Sequence, residues 1–570
     1  MAERYPNTNQ ANRYAREIAA DKKPACKWVV LACQRHLEDL KREKSKKRFG
    51  YLFDKDEAER ACNFIQKLPH TKGKWAQKRE LLKLSPWQLF IVCSIFGWRK
   101  KKDKTRRFRD IYLEIPRKNG KSVLAAAIGL YMFAADREFG AEVYSGATTE
   151  KQAWEVFRPA RLMALRTPAL CQHFGIEVNA SNLAKPEDGS RFEPLIGNPG
   201  DGQSPSCALV DEYHEHARPD LYDTMVTGMG AREHPMALVI TTAGSNIGGP
   251  CYEKRTELQK VLQGVFKDEQ MFGVIYSLDE GDDWTTLESI KKANPNFGVS
   301  VGEDYLKTQV KKAKQSPSKQ NTCKTRHFNI WVGAREAWLN MEKWGACGDD
   351  TLRIEDFAGV PSMLSVDLAT RIDMAAMGQL FYRFEDDGRL HYYWFPTFFL
   401  PESALEISKN ADRYSGWASQ GYLELMDGDE VDFKEIQNMV IGEGSISSAH
   451  QVDEFVYDPW QATQLAQAVT AEGGTAVEYR NTVQNMSPAM KELEAAIVSG
   501  RFHHADHPIM NWMASNVVAK MDAKENIYPR KEQAENKIDG AVAAIMAIGR
   551  AMVHEDAGNF DEFIHNPVII

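Results

Sequence analysis

Lys121 and Ser122 close the run Ile111-Tyr-Leu-Glu-Ile-Pro-Arg-Lys-Asn-Gly-Lys-Ser122, where a short apolar strand passes through Arg117, Lys118, Asn119 and Gly120 into an apolar helix. A nucleotide phosphate needs that arrangement. Gly120 lets the backbone approach, Lys121 puts a charge on the β and γ oxygens, and Ser122 offers a hydroxyl to Mg²⁺. The helix turns its N-terminus to the anion, and Arg117 adds a cation where charge develops on a γ-phosphate. The pattern G-x-x-x-x-G-K-[ST] is one glycine short, because its first position is Ile115. ATP with Mg²⁺ is the expected ligand.

The complement of a phosphate loop is a second strand ending in acids, and Cys207-Ala-Leu-Val-Asp211-Glu212 supplies it. Two adjacent carboxylates are costly to bury without a metal or substrate; an exposed helix cap is the other reading. With ATP, Asp211 holds Mg²⁺ through water and Glu212 orients and deprotonates the attacking water. The strand Ala237-Leu-Val-Ile-Thr241-Thr242-Ala-Gly-Ser245 ends in hydroxyl and glycine residues, fit for a relay between hydrolysis and movement or for a plain strand-end turn. Upstream, Trp87 and Gln88 offer adenine an aromatic face and a bidentate amide, although core packing accounts for Trp87 equally well.

Three more acids lie in apolar settings far apart in sequence. Asp367 is on the strand Leu364-Ser-Val-Asp, Asp458 ends the strand Glu454-Phe-Val-Tyr-Asp, and Asp539 opens an apolar helix after Lys537-Ile. Each reads singly as a cap or turn residue. Together they are an all-oxygen ligand set for Mg²⁺ or Mn²⁺, and two such ions about 3.5–4 Å apart clamp both oxygens of a phosphodiester displacement. Asp373 is a possible second-layer partner or turn acid, and His503 and His504 are weak metal neighbours.

The elements that must position these groups follow from periodicity. Residues 1–80 read as a helical arm or small subdomain, with helix spacing over Trp28–Leu40. Residues 81–300 alternate strands (Ile111–Ile115, Ala141–Ser145, Ala208–Asp211, Ala237–Thr242) with helices (Val123–Ala135, Glu150–Leu165), predicting an α/β domain with a parallel sheet covered on both faces. A Lys-rich helical stretch and Thr325–Trp331 form a connector over 301–345. Strands restart at Met363–Leu368, Met377–Phe384, Leu390–Phe399 and Glu454–Tyr457 before a last helix from Ile538, giving a second α/β domain over 346–554 around a mixed sheet. Residues 555–570 read as a frayed tail.

At 570 residues, 43% apolar and 26% charged, the chain exceeds one core and has the composition of an ordinary soluble protein. A net charge of −7 excludes a uniformly basic coat, but two basic runs, Lys41–Arg48 and Arg99–Arg109, offer local sites for a phosphate backbone or plain solvated loops. Nine cysteines without a CxxC pair fit a reducing compartment. The N-terminus lacks an apolar signal core and no apolar run reaches the ~20 residues of a membrane span, so a soluble intracellular protein without a membrane partner is expected.

The ordered set Pro86-Trp87-Gln88, Arg117-Lys-Asn-Gly-Lys-Ser122, Ala147-Thr-Thr-Glu-Lys-Gln-Ala153, Val210-Asp-Glu212, Thr241-Thr-Ala-Gly-Ser245, Asp367, Asp458 and Lys537-Ile-Asp-Gly540 resembles the large terminase subunit of tailed double-stranded DNA phages. The resemblance covers about residues 80–552. It implies an ATPase with an additional-strand P-loop fold and a nuclease with an RNase H-like fold. It also implies a homo-oligomeric ring on the portal protein of the procapsid, a small terminase subunit as partner, double-stranded DNA as substrate and the host cytoplasm as location. Carried over residue by residue, Arg117, Lys121, Ser122, Asp211 and Glu212 take the ATPase roles given above. Thr241, Thr242 and Ser245 match the coupling motif, and Asp367, Asp458 and Asp539 the nuclease ligands. A ring motor also takes an arginine from its neighbour, for which Arg191 and Arg232 are guesses. The alternatives are a P-loop helicase or remodelling ATPase whose second domain only binds nucleic acid, and a non-enzymatic assembly scaffold.

Overall fold

Strand order decides which side chains can meet, and the first sheet runs Met271–Ile275, Asp110–Glu114, Met236–Thr241, Cys207–Asp211, Glu142–Ala147, Ser190–Ile196, Leu183–Lys185, Glu177–Val178. Its first six strands are parallel and its last two antiparallel. Every residue of Met236–Thr241 and Cys207–Asp211 is buried. Successive side chains point to opposite faces, so both faces are covered, as the unbroken apolar runs require. The phosphate-loop strand Asp110–Glu114 is separated from the acid strand Cys207–Asp211 by one inserted strand, Met236–Thr241. That insertion is the additional-strand order, and it sets the end of the coupling segment between the Lys and the acids.

The computed structural model describes residues 4–45, 48–196, 202–315, 317–334, 337–368, 373–408, 410–522, 524–533 and 535–565. It divides into two compact units, Met1–Lys312 with Thr322–Trp331, and Ala313–Asn321 with Val332–Ile570. In the first, the helices Pro6–Ala19, Lys27–Ser45 and Lys55–Ile65 share the apolar core of the large sheet. The Lys-rich stretch forms two helices, Glu303–Lys314 and Pro317–Phe328.

The second unit holds a sheet in the order Glu424–Met426, Leu390–Pro401, Ala375–Phe384, Ser362–Asp367, Val452–Tyr457, Ala476–Glu478, with Phe502–His504 paired to Leu390–Pro401. Ser362–Asp367 is antiparallel to Ala375–Phe384 and parallel to Val452–Tyr457. The helix Asp539–His565 packs on Ser362–Asp367, and Ser365 Oγ donates to Ala543 O at 2.8 Å. The chain past Glu555, expected to fray, continues that helix to His565. Among the described residues no helix is long and apolar enough to cross a membrane.

The basic run Arg99–Arg109 is not a free eight-cation patch. Arg99, Arg106 and Arg107 are buried and paired with Glu57, Asp136, and Asp39 plus Glu269, respectively. A buried guanidinium needs such partners; of the five cations left, Lys101, Lys102 and Lys104 are exposed and Lys100 and Arg109 half-buried. In the other run, Lys46 and Lys47 lie outside the described residues.

Candidate active sites

Gly120 has φ +85 and caps the N-terminus of the helix Lys121–Ala134, a backbone state that costs glycine little. Lys121, 6% exposed, sends Nζ to Glu212 Oε1 at 3.0 Å and Oε2 at 3.1 Å. Glu212 sits in the left-handed region, φ +49, an uncommon state that turns its side chain out of the strand line toward the loop. His214, which the sequence reading passed over, completes the group. Its Nδ1 is 3.3 Å from Glu212 Oε2 and 2.9 Å from Thr241 Oγ1, and its backbone N–H donates to the same hydroxyl at 3.1 Å. Only its place three residues after Asp211 hinted at a role.

Electrostatics distinguishes the two acids. Asp211 is 3% exposed, and burial followed by the Glu212 charge pushes its carboxyl up to about 7 against the pull of Lys121. Burial also opposes ionisation of Glu212, but Lys121, His214 and Arg117 more than offset it and hold that carboxyl below its usual range. The two adjacent carboxyls are thus driven apart, Asp211 toward its neutral form and Glu212 toward its charged one. Buried Thr242 Oγ1 and Arg117 Nε have no hydrogen-bond partner among the described residues, and Ser122 follows Lys121 in the first helical turn. Open donors beside a cation-seeking carboxylate fit a nucleotide with Mg²⁺. Ser245 is buried at the end of the coupling segment.

Ile115 explains the missing glycine. It is fully buried and its N–H donates to Thr241 O at 2.9 Å, so the position continues the sheet. The loop is shaped instead by amides. Asn119 Nδ2 donates to Pro116 O, Arg117 O and Asn294 Oδ1 at 2.9–3.2 Å, while Asn296 N–H donates to Asn119 Oδ1 at 3.0 Å. Ser300 Oγ donates to Lys118 O at 2.6 Å. The brace Asn294–Ser300 also went unread; its signal was the amide-rich Asn294-Pro-Asn296. Lys118 is exposed. Trp87 is 2% exposed, with Nε1 on Asn296 Oδ1 at 2.9 Å, so its ring is core and brace and presents no open face to adenine. Gln88 Oε1 accepts from Ser85 N–H at 2.9 Å in a capping box. Its Nε2 lies 3.8 Å from where a Cβ on Gly120 would stand.

In the second unit Asp367 ends Ser362–Asp367, Asp458 follows the adjacent parallel strand, and Asp539 opens the helix packed on both. Burial, then the charges of Asp539 and Asp458, push the Asp367 carboxyl well above its ordinary range. Asp539 is raised by burial and by Asp373, against Lys537 and Lys531. Asp458 caps its helix, accepting from Trp460 N–H at 2.9 Å and Asn481 N–H at 3.2 Å. The acids therefore feel one another, although among the described residues no three His, Cys, Asp or Glu side chains are already closed on a single ion position. Mutually raised carboxyls with all-oxygen donors fit divalent cations, whose charge removes that repulsion. Asp373 is ion-paired with Lys537 beside them. His503 and His504 are engaged elsewhere, with His391 and with Trp344 O.

Residues 86–260 match the family model "Terminase large subunit, ATPase domain", and residues 265–555 match "Terminase large subunit, endonuclease domain". The chain belongs to the terminase large subunit family. This terminase is 46% identical over 376 residues to Protein YmfN of Escherichia coli K12, spanning 64% of this chain and 82% of that protein. It is 28% identical over 505 residues to the terminase large subunit of Enterobacteria phage HK97, spanning 85% and 94%. The crystal structure of the HK97 large terminase aligns at 26% identity and TM-score 0.42, covering 86% of this chain and 99% of that one. The two matched domains carry the two acid constellations, one each, so the terminase is an ATPase and an endonuclease. Arg191 and Arg232, the guessed ring arginines, are both engaged with Glu142.

Proposed function

We propose that the phosphate loop of this terminase drives double-stranded DNA into a procapsid and that its carboxylate triad cuts the concatemer, with the residues in the following roles. The observation that carries the reading is Lys121 on Glu212 at 3.0–3.1 Å, directly beside the inserted strand that ends in Thr241. ATP entering the loop takes Lys121 onto its phosphate oxygens and so frees Glu212, with His214 and Arg117 still beside it, to polarise the attacking water. His214 keeps Glu212 aimed, and Arg117 steadies charge on the leaving γ-phosphate. Ser122 and Asp211 would hold Mg²⁺, which would supply positive charge at the phosphates.

In the other unit Asp367, Asp458 and Asp539 hold the cleavage site. These carboxylates would hold Mg²⁺ or Mn²⁺, which would supply the charge that phosphodiester cleavage needs. Lys531, whose charge reaches Asp367 and Asp539, leaves the set less negative for a DNA backbone. A homo-oligomeric ring, a portal protein, a small terminase subunit and the host cytoplasm belong to this reading through the family. The endonuclease match and the triad favour it over a helicase with a passive second domain.

The test is reciprocal, in the full chain. Glu212→Gln is expected to lower ATP turnover by about 10³-fold or more while Mn²⁺-dependent plasmid cutting persists. Asp367→Asn is expected to abolish cutting and spare the ATPase. If either variant lost both activities or neither, the assignment would fail.

A further inference from the structure

Glu114 is a buried carboxylate that neither reaction uses. It ends the strand feeding the phosphate loop, is fully buried, and accepts from Tyr112 Oη at 2.8 Å, Trp331 Nε1 at 3.2 Å and Arg255 Nε at 3.4 Å. A carboxylate so buried needs this compensation. One of the compensating groups is notable for its place in the chain, because Trp331 is the last residue of the ATPase unit before the chain enters the nuclease unit.

The indole of Trp331 also closes on the coupling segment. A Cβ on Gly244 would come within 3.3 Å of the Trp331 ring and within 3.1 and 3.2 Å of His214. Glycine at 244 is thus what lets the imidazole that holds Glu212 and the indole bonded to Glu114 approach the same backbone. The residues before Trp331 are tied to the same machinery. Arg326 O accepts from Arg117 N–H of the phosphate loop at 2.8 Å. Asn329 Oδ1 accepts from Ala243 N–H at 3.1 Å, and Asn329 Nδ2 donates to Tyr276 O at 2.9 Å.

We propose that Trp331, seated between Glu114 and Gly244, is the positioning residue that imposes the nucleotide state of the ATP site on the segment leading out of the ATPase unit. The proposal rests on the reading of Lys121 and Glu212 given above. The switch is the Lys121–Glu212 pair: Lys121 bonds Glu212, and a phosphate in the loop competes with that carboxylate for the same ammonium. Glu212 then loses its strongest partner, and His214 divides Nδ1 between Glu212 and Thr241 in new proportion. A shift of the imidazole is felt at Gly244, where no side chain cushions it. Trp331 passes it on because its Nε1 is anchored on Glu114, in the strand that ends at the loop itself. Coupling of this kind needs a contiguous packed path, which His214, Gly244, Trp331 and Glu114 form, and an element with two arrangements, a part the proposal gives to the Lys121–Glu212 pair.

Amide hydrogen exchange of the full chain, with and without ATPγS and Mg²⁺, tests this. In the unaltered chain the nucleotide is expected to change exchange across residues 326–331 by roughly fivefold or more. Trp331→Phe keeps the ring's bulk but lacks the N–H for Glu114, and Gly244→Ala wedges His214 from Trp331. Both are expected to lose that response while binding ATPγS within about threefold of the unaltered chain. If Gly244→Ala does not fold, Trp331→Phe decides alone. A full response in Trp331→Phe, or none in the unaltered chain, overturns the role of Trp331. Glu212→Gln separates the two failures, since undiminished ATP turnover in that variant removes the site itself, and the proposal with it.

Discussion

Asp211 carries a cost that its ligand is built to remove, and the cost has a sign that can be measured. Its carboxyl titrates near 7 in the fold against about 3.9 in an unfolded chain. Between those values the folded chain holds a proton that the unfolded chain has released, so stability falls as pH rises through that window and the loss is complete above about 7. Without Mg²⁺, Asp211→Asn is therefore expected to be more stable than the unaltered chain at pH 8, by about 1–3 kcal/mol, with the difference gone near pH 4. Mg²⁺ displaces the proton, so its affinity should rise with pH up to about 7 and then level off. Denaturant unfolding at pH 4, 6 and 8 with and without Mg²⁺ measures both, and a difference independent of pH would remove the explanation. At this scale much was legible. A Gly-Lys-Ser loop arises easily by chance and a strand-end acid reads singly as a cap, so it was the pairing of the loop with Asp211 and Glu212 that carried the reading. His214 went unread, since a histidine three residues past an acid pair gains its meaning only from the neighbouring strand that brings Thr241 to it.

Elements came through the sequence where periodicity is strong and were lost where short strands depend on tertiary partners. The helix Glu150–Leu165 and the strands around Asp110–Glu114, Cys207–Asp211 and Met236–Thr241 stand close to their expected bounds. The hairpin Val517–Met521 with Ile527–Lys531, which brings Lys531 to the triad, was unread. So was Met271–Ile275 as an edge of the first sheet, because a strand of five buried residues has no alternation to betray it. Residues 322–331, expected in a connector, fold with the ATPase unit because Arg326 and Asn329 bind its loops. Gly540 illustrates what a motif letter conceals. A Cβ there would stand 2.7 Å from Phe398 and 3.2 Å from Met510 Sδ, so the glycine seats the first turn of the helix that carries Asp539. Gly540→Ala is expected to overpack this joint by about 1–3 kcal/mol. By the scaling for a unit of this size, that lowers the melting of the second unit by roughly 2–10 °C, and DNA cutting should weaken while ATP turnover holds. An unshifted melting curve would show that the helix tolerates the displacement.

At the scale of the whole molecule the apolar clusters decide how the chain comes apart. The largest runs from Ala11 to Tyr276 around the first sheet, while those of the second unit are built from residues between Trp338 and Ala551. The chain divides into two compact units along the same line, and two units each with its own core are expected to unfold as two cooperative systems, for which a single free energy of unfolding is not defined. Calorimetry of the full chain is therefore expected to show two transitions that answer to different ligands. ATPγS with Mg²⁺ at about 100 times its dissociation constant adds roughly 2.7 kcal/mol to whichever transition contains Lys121 and Asp211. At about 2.1 cal/mol/K of unfolding entropy per residue, that is a rise of about 4 °C in one peak and none in the other. Gly540→Ala should do the converse, moving only the peak that nucleotide leaves in place. The crossed pattern bears on mechanism, because a nucleotide that stabilised both peaks equally would be bound by a structure the two units make jointly. The roles given to Lys121, Glu212 and the triad require instead that each chemistry be complete within its own core, with residues 322–331 as the stretch of chain through which one informs the other.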